Sequence, residues 1–151
     1  MLEIERPADL KAYIGKTLGT SEWVTVDQAM INAFADATGD HQWIHVDIER
    51  AKKEMPNGQT IAHGFLTLSL LPRLMAGIYK VRKTSRGINY GSNKVRFTSP
   101  VPAGSRVRLH QAVKAVEDIK GGVRVISDCT IELEGADKPA VVAEFISLSF
   151  D

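Results

Sequence analysis

Two residues able to move protons, Asp40 and His45, stand five positions apart just after Gly39 interrupts an apolar stretch. A carboxylate and an imidazole held together beside an apolar cleft can share the protons of one water. Downstream, Ile61-Ala62-His63-Gly64-Phe65 opens a long apolar segment. If that segment is a helix, its first free N–H groups form an anion or oxyanion site, and a glycine there lets a ligand come close to the main chain. Acid-base groups together with an oxyanion donor suit chemistry on a carbonyl compound. The bland alternatives stay open on the residues alone: Asp40 as a turn former, His45 as a satisfied structural histidine, His63 as a cap or brace of the following helix. His41 and His45 have the i to i+4 spacing of metal ligands on a helix, but Gly39 argues against helix there, no Glu follows His41 and no Cys cluster is present, so no metal site is expected.

The elements that must position these residues can be traced from the pattern. Pro7 to Ile14 reads as a short helix stopped by Gly15. Thr25-Val26-Asp27-Gln28 has the form of a capping box, and Val26, Met30, Ile31, Phe34 and Ala35 recur at helical spacing up to Gly39. Asp40 to His45 is then loop. Asp47 caps a third helix over Ile48 to Glu54, ahead of the turn Pro56-Asn57-Gly58. From Gly64 to Met75 nearly every face is apolar, as a helix wrapped by other structure requires, and Pro72 must kink or break it. After Arg86 the period changes from 3.6 to 2. Val107, Leu109 and Val113 share one parity, Val123, Val125, Cys129, Ile131 and Leu133 another, and Val142, Ile146, Leu148 and Phe150 a third, which reads as a long-stranded antiparallel meander. A sheet with one apolar face and one very apolar helix solve each other's burial if the sheet curls around the helix in an α+β arrangement.

Length and composition bound the rest. With 151 residues, 44% apolar and 25% charged, the chain is expected to be one domain, residues 1–151, with a substantial core. A net charge of +1 with interspersed signs gives no reason to expect nucleic acid or an anionic membrane. No signal pattern opens the chain and no run approaches the roughly 20 apolar residues of a membrane span. The single Cys129 excludes an internal disulfide and, sharing the parity of Val125 and Ile131, reads as a core thiol; the cytoplasm is the expected location. Lys80, Arg82, Lys83, Arg86, Lys94 and Arg96 could meet phosphates or form an ordinary solvated face. Trp23 and Trp43 read as packing residues, the second near enough to the loop to wall a channel.

The segment Ala37-Thr38-Gly39-Asp40-His41-Gln42-Trp43-Ile44-His45, followed by Ala62-His63-Gly64 and by Arg96-Phe97-Thr98-Ser99-Pro100-Val101, resembles the MaoC-like (R)-specific enoyl-CoA hydratases. The likeness runs from about Val24 to the C-terminus and is closest to the short NodN-type branch. It departs at Gln42-Trp43, where the family commonly has Asn-Pro; Gln42 can still donate an amide hydrogen bond where Asn does. The resemblance implies a hot-dog fold, a homodimer with a continuous sheet, and addition of water to trans-2-enoyl thioesters to give (R)-3-hydroxyacyl-CoA. Carried over, Asp40 and His45 bind and activate the water and the Gly64 N–H polarises the thioester carbonyl. A serine further along the core helix shapes the acyl pocket in some members, and the assignment falls here on Ser69, Pro72 being non-equivalent. Coenzyme A, or acyl carrier protein, belongs to the substrate, and no cofactor is implied. A hot-dog thioesterase and a non-catalytic acyl-CoA-binding hot dog are the alternatives. The ordered dyad and the lack of Asp or Glu between Gly64 and Met75 favour the hydratase.

Overall fold

Pro7 fixes the first turn of a 3-10 helix, Pro7–Tyr13, which buries Pro7 and Leu10 and ends ahead of Gly15 in the left-handed conformation. The computed structural model describes residues 1–151. Short strands flank that helix: β1 (Leu2–Ile4), β2 (Thr17–Thr20) and β3 (Val24–Val26). Helix α1 (Gln28–Thr38) follows and stops at Gly39, whose φ of 80° and N–H bond to the Ala35 carbonyl are the left-handed cap expected of glycine. Its N-cap is Asp27, whose carboxylate accepts from the Met30 N–H at 2.9 Å. The capping box read from Thr25 and Gln28 is therefore wrong by two residues, because the Gln28 side chain is used elsewhere. Asp47 caps α3 (Ile48–Glu54) by accepting from the Arg50 N–H, a bond typically worth about 1 kcal/mol.

Between these helices the expected loop contains a helical turn, α2 (Trp43–Val46), with His45 buried in it. Four residues have too little internal bonding to hold a helix alone. Tertiary bonds hold it instead: the Ile61 N–H donates to the Ile44 carbonyl at 3.0 Å, and the Gln28 amide donates to the His45 carbonyl at 2.8 Å.

The apolar segment forms α4 (Gly64–Ser69) and α5 (Leu71–Met75), broken at Leu70, one residue before the Leu71-Pro72 pair that opens the second piece. Leu66, Leu70, Leu71 and Leu74 pack into one core with Val107, Leu109, Val113, Val125, Ile131 and Ala143 from the sheet. Strand β4 (Tyr79–Val81) then pairs in parallel with β1. The large sheet is built from β5 (Arg86–Phe97), β6 (Ser105–Ile119), β7 (Gly122–Leu133) and β8 (Val141–Phe150), in the order β2-β6-β7-β8-β5, with β3 also on β6. Its inner face wraps α4 and α5, the α+β arrangement expected.

The sheet corrects two readings. It is not a simple meander, since β5 crosses past two strands to pair with β8, leaving the 99–104 segment as a crossing loop and not a hairpin. In β8 the inward residues are Val141, Ala143 and Phe145, opposite to the parity taken from Val142, Ile146, Leu148 and Phe150. Those four share the outer face, where Ile146 is nonetheless buried and Arg86 lies 4.4 Å over the Phe150 ring. In β6 and β7 the alternation holds, with Gln111 and Ser127 the inward polar pair, joined by a 3.1 Å hydrogen bond that removes part of their burial cost. No helix is long and apolar enough to cross a membrane.

Candidate active site

Asp40 leaves the end of α1 directly after the left-handed Gly39, so the chain turns back toward the sheet at that residue. Its carboxylate is about half exposed and makes only a long 3.4 Å contact with the Gln42 N–H. His45, one turn of helix later, is buried, and its Nδ1 lies 2.6 Å from the Ile61 carbonyl. A carbonyl only accepts, so Nδ1 carries the hydrogen and Nε2 keeps a bare lone pair. Gln28 supports the same residue from behind. Its amide donates to the His45 carbonyl while its Oε1 accepts from the Thr60 hydroxyl.

His63 completes the group. It is 3% exposed, its Nε2 lies 2.9 Å from the Asp40 carbonyl oxygen and 4.0 Å from the Asp40 carboxylate, and its ring stacks on His45 with centroids 3.8 Å apart at 25°. Phe34 packs on it at 4.9 Å. Side-chain atoms of Asp40, His45 and His63 lie within 4.8 Å of one another. One water making two hydrogen bonds of about 2.8 Å spans such a gap at a near-tetrahedral angle, so the spacing suits a shared water. The same three side chains also offer a carboxylate and two imidazoles, the donor types of a metal site.

A cavity of about 260 Å³ opens beside His45, walled by Gly64, Thr67, Phe97, Val101 and Val141. Gly64 begins α4, and its N–H donates to no backbone acceptor. The Phe97 ring lies so close over Gly64 that a Cβ there would stand 2.7 Å from it. His45 and Gly64 thus line one largely apolar space. Gln42 sits exposed at the N-cap of α2, two residues from Asp40, and its side chain makes no hydrogen bond; neither Gln42 nor Asp40 lines the cavity. Ser69 is not brought to this cavity. Its hydroxyl donates to the Phe65 carbonyl at 2.7 Å, and it borders a separate groove between α5 and β5 with Pro72 and Tyr90.

Several residues that build the site carry no signal that singles them out in the sequence. Gln28 and Thr60 look like ordinary helix and loop polar residues; Thr67 and Phe97 look like core and strand residues. Of the basic residues, Arg82 and Lys83 are paired with Glu3 and Glu5, and Arg96 turns to the Val95 carbonyl. His41 pairs with Asp36 on the surface, which raises its pKa, and takes no part in the cluster. Burial pushes the Cys129 thiol up to about 12, so it is no nucleophile at neutral pH. Trp43 is covered by Arg50, 4.0 Å over its ring.

Residues 9–134 match the family described as MaoC like domain. The match begins ahead of Val24 and so takes in β2 and part of the 3-10 helix, which pack against the sheet. Over 147 residues the chain is 55% identical to 3-hydroxyacyl-thioester dehydratase Z of Mycobacterium tuberculosis, covering 97% of both chains. It is 48% identical over 144 residues to nodulation protein N of Rhizobium leguminosarum bv. viciae, covering 93% of this chain and 89% of that one. In structure it is similar to the unliganded R-hydratase PhaJ1 from Pseudomonas aeruginosa, with a TM-score of 0.74 at 23% identity, over 97% of this chain and 86% of the other.

Proposed function

The chain belongs to the MaoC-like domain family, and on that premise we propose that it interconverts trans-2-enoyl and (R)-3-hydroxyacyl thioesters by adding or removing water. The observation that carries this reading is the arrangement of His45. With Nδ1 committed to the Ile61 carbonyl, its free Nε2 is left as a base near the Asp40 carboxylate, and His45 lines the same cavity as Gly64. In the hydration direction, water held by Asp40 and His45 loses a proton to the dyad as its oxygen bonds to C3 of the enoyl chain. The displaced π electrons move through C2 to the thioester oxygen, where the Gly64 N–H opposes the charge. C2 then takes back the proton, so the C3–O and C2–H bonds form, one O–H bond breaks and the dyad ends as it began. Coenzyme A carries the acyl group as part of the substrate, and these steps need no further cofactor.

The same reading includes a homodimer. Strand β5 is a sheet edge of 12 largely exposed residues, and it displays Ile88, Tyr90 and Phe97, with Phe65 beside Phe97 and Val142 on the adjacent β8. The opposite edge is made only of the short strands β2 and β3, four and three residues long. A long bare edge with apolar neighbours invites pairing with a second copy around a two-fold axis. The dimer carries two sites, with the acyl chain running near the subunit interface.

The purified protein incubated with crotonyl-CoA tests the reaction. Loss of the enone absorbance without appearance of free thiol, with (R)-3-hydroxybutyryl-CoA as product, is the expected result. Thiol release without hydration would identify a thioesterase instead, and neither signal would identify a binding protein.

A further inference from the structure

The mechanism above gives His63 no task, yet it is buried against both Asp40 and His45. The ring is buried to 3% exposure, and Nδ1 finds no hydrogen-bond partner. An unpartnered buried nitrogen is a cost that an apolar side chain of the same size would avoid. Some benefit must offset it, and the geometry indicates which. Nε2 points at the main-chain oxygen of Asp40, an atom that only accepts, so Nε2 carries the hydrogen and Nδ1 the bare lone pair. The face of the ring lies against His45, with Phe34 packed on it as well. His63 therefore touches both members of the dyad through groups that do no chemistry, the backbone of one and the ring plane of the other. It does not border the cavity.

We propose that His63 is a positioning residue that holds Asp40 and His45 in register, fixing the Asp40 main chain through its Nε2–H and the plane of the His45 imidazole by stacking. The inference rests on the dyad reading and adds to it. Asp40 follows a helix end and has no firm side-chain partner, while His45 rides on a four-residue turn, so neither is held in place by its own element. A shared water tolerates little relative movement, and a misplacement of about 1 Å can cost on the order of a hundredfold in rate.

Two variants separate the two contacts. His63→Gln keeps an N–H donor within reach of the Asp40 carbonyl and loses the stack; His63→Phe keeps a ring against His45 and loses the donor. In both, kcat should fall by about ten- to a hundredfold, with KM within about twofold of the parent, as a loss of alignment requires. Placed in a His45→Gln background, His63→Phe should cost almost nothing more. A KM that rises with kcat unchanged would make His63 a substrate contact, and a loss that multiplies with that of His45→Gln would make it an independent structural residue; either overturns the proposal. So does parental kcat in both variants. A parental rate in His45→Gln itself would instead remove the dyad reading, which keeps the two failures distinct. Should the variants not fold, nitrogen-15 imidazole spectra of the parent protein decide the matter. Hydrogen on His63 Nε2 throughout the active pH range is expected, and hydrogen on Nδ1 would sink the proposed bond.

Discussion

At the scale of single residues the site depends on which atom of each side chain is already engaged. In the proposed mechanism His45 serves because Nδ1 is engaged by the Ile61 carbonyl, and Asp40 because its carboxylate has only a long contact with the Gln42 N–H. Asp40→Asn and His45→Gln preserve shape, so circular dichroism and melting should match the parent while enoyl-CoA hydration falls by about 10² to 10⁴. The double variant should lose little beyond either single one, since groups sharing one water act as a unit. A variant keeping more than about a tenth of parental kcat would place that residue outside the chemistry. Gly64 is constrained from two sides, by the thioester oxygen that must approach its N–H and by the Phe97 ring already lying over it. Gly64→Val should cost about 10² to 10³ in kcat, and adding Phe97→Ala should relieve the clash without recovering the rate. Near-parental turnover in Gly64→Val would move the oxyanion donor elsewhere.

At the scale of elements, the sequence was most legible where a local bond decides a boundary. Gly39 ends α1 in the left-handed conformation, Asp47 starts α3, and Pro72 splits the core helix, each from chemistry contained within a few residues. It was least legible where distant segments decide. The turn that carries His45 exists because of Gln28 and Ile61, the strand pairs at the N-terminus because of β4 and β6, and the inward face of β8 because of its neighbours. His63 was weighed as a brace, but its bond to Asp40 crosses 23 positions and leaves no periodic trace. The outer face of the sheet shows the same dependence. Thr20 meets His110 across β2 and β6, and Glu132 on β7 takes both the His110 ring and the Arg108 guanidinium. Arg108 first and His110 second hold the Glu132 carboxyl below its ordinary value of 4.5. A lowered folded-state pKa stabilises fully above that value and fades as the pH falls through the lowered one. Melting temperature should therefore drop on acidification below about pH 4.5, and Glu132→Gln should melt lower than the parent at neutral pH but approach it in acid. A constant gap at all pH values would show that the carboxylate charge is not what ties β6 to β7.

At the scale of the whole molecule, β5 is the element whose exposure the monomer leaves unresolved. Light scattering at micromolar concentration should give twice the chain mass. Ile88→Lys with Tyr90→Lys, placing charge where an edge strand would pair, should give a monomer with little hydratase activity. A monomeric parent would remove the dimer, and a fully active monomeric variant would show that the site is complete within one chain. The crossing loop bears on a different matter, the order in which the chain becomes competent as it is made. Ala62 donates to the Val101 carbonyl, Ala103 donates to that of Thr60, and Ile61 bridges to Pro102. Asp40, His45 and Gly64 thus leave the ribosome well before the residues that pin the segment 60–63 beside them. Helices α1 and α3 rest on local bonds and can form early, whereas the partner of the dyad is fixed only when a contact some forty residues long in sequence closes. A nascent chain that ends before Val101 carries Asp40, His45 and Gly64 but lacks the contacts that hold the segment 60–63 beside them, so the proposed site awaits the crossing loop.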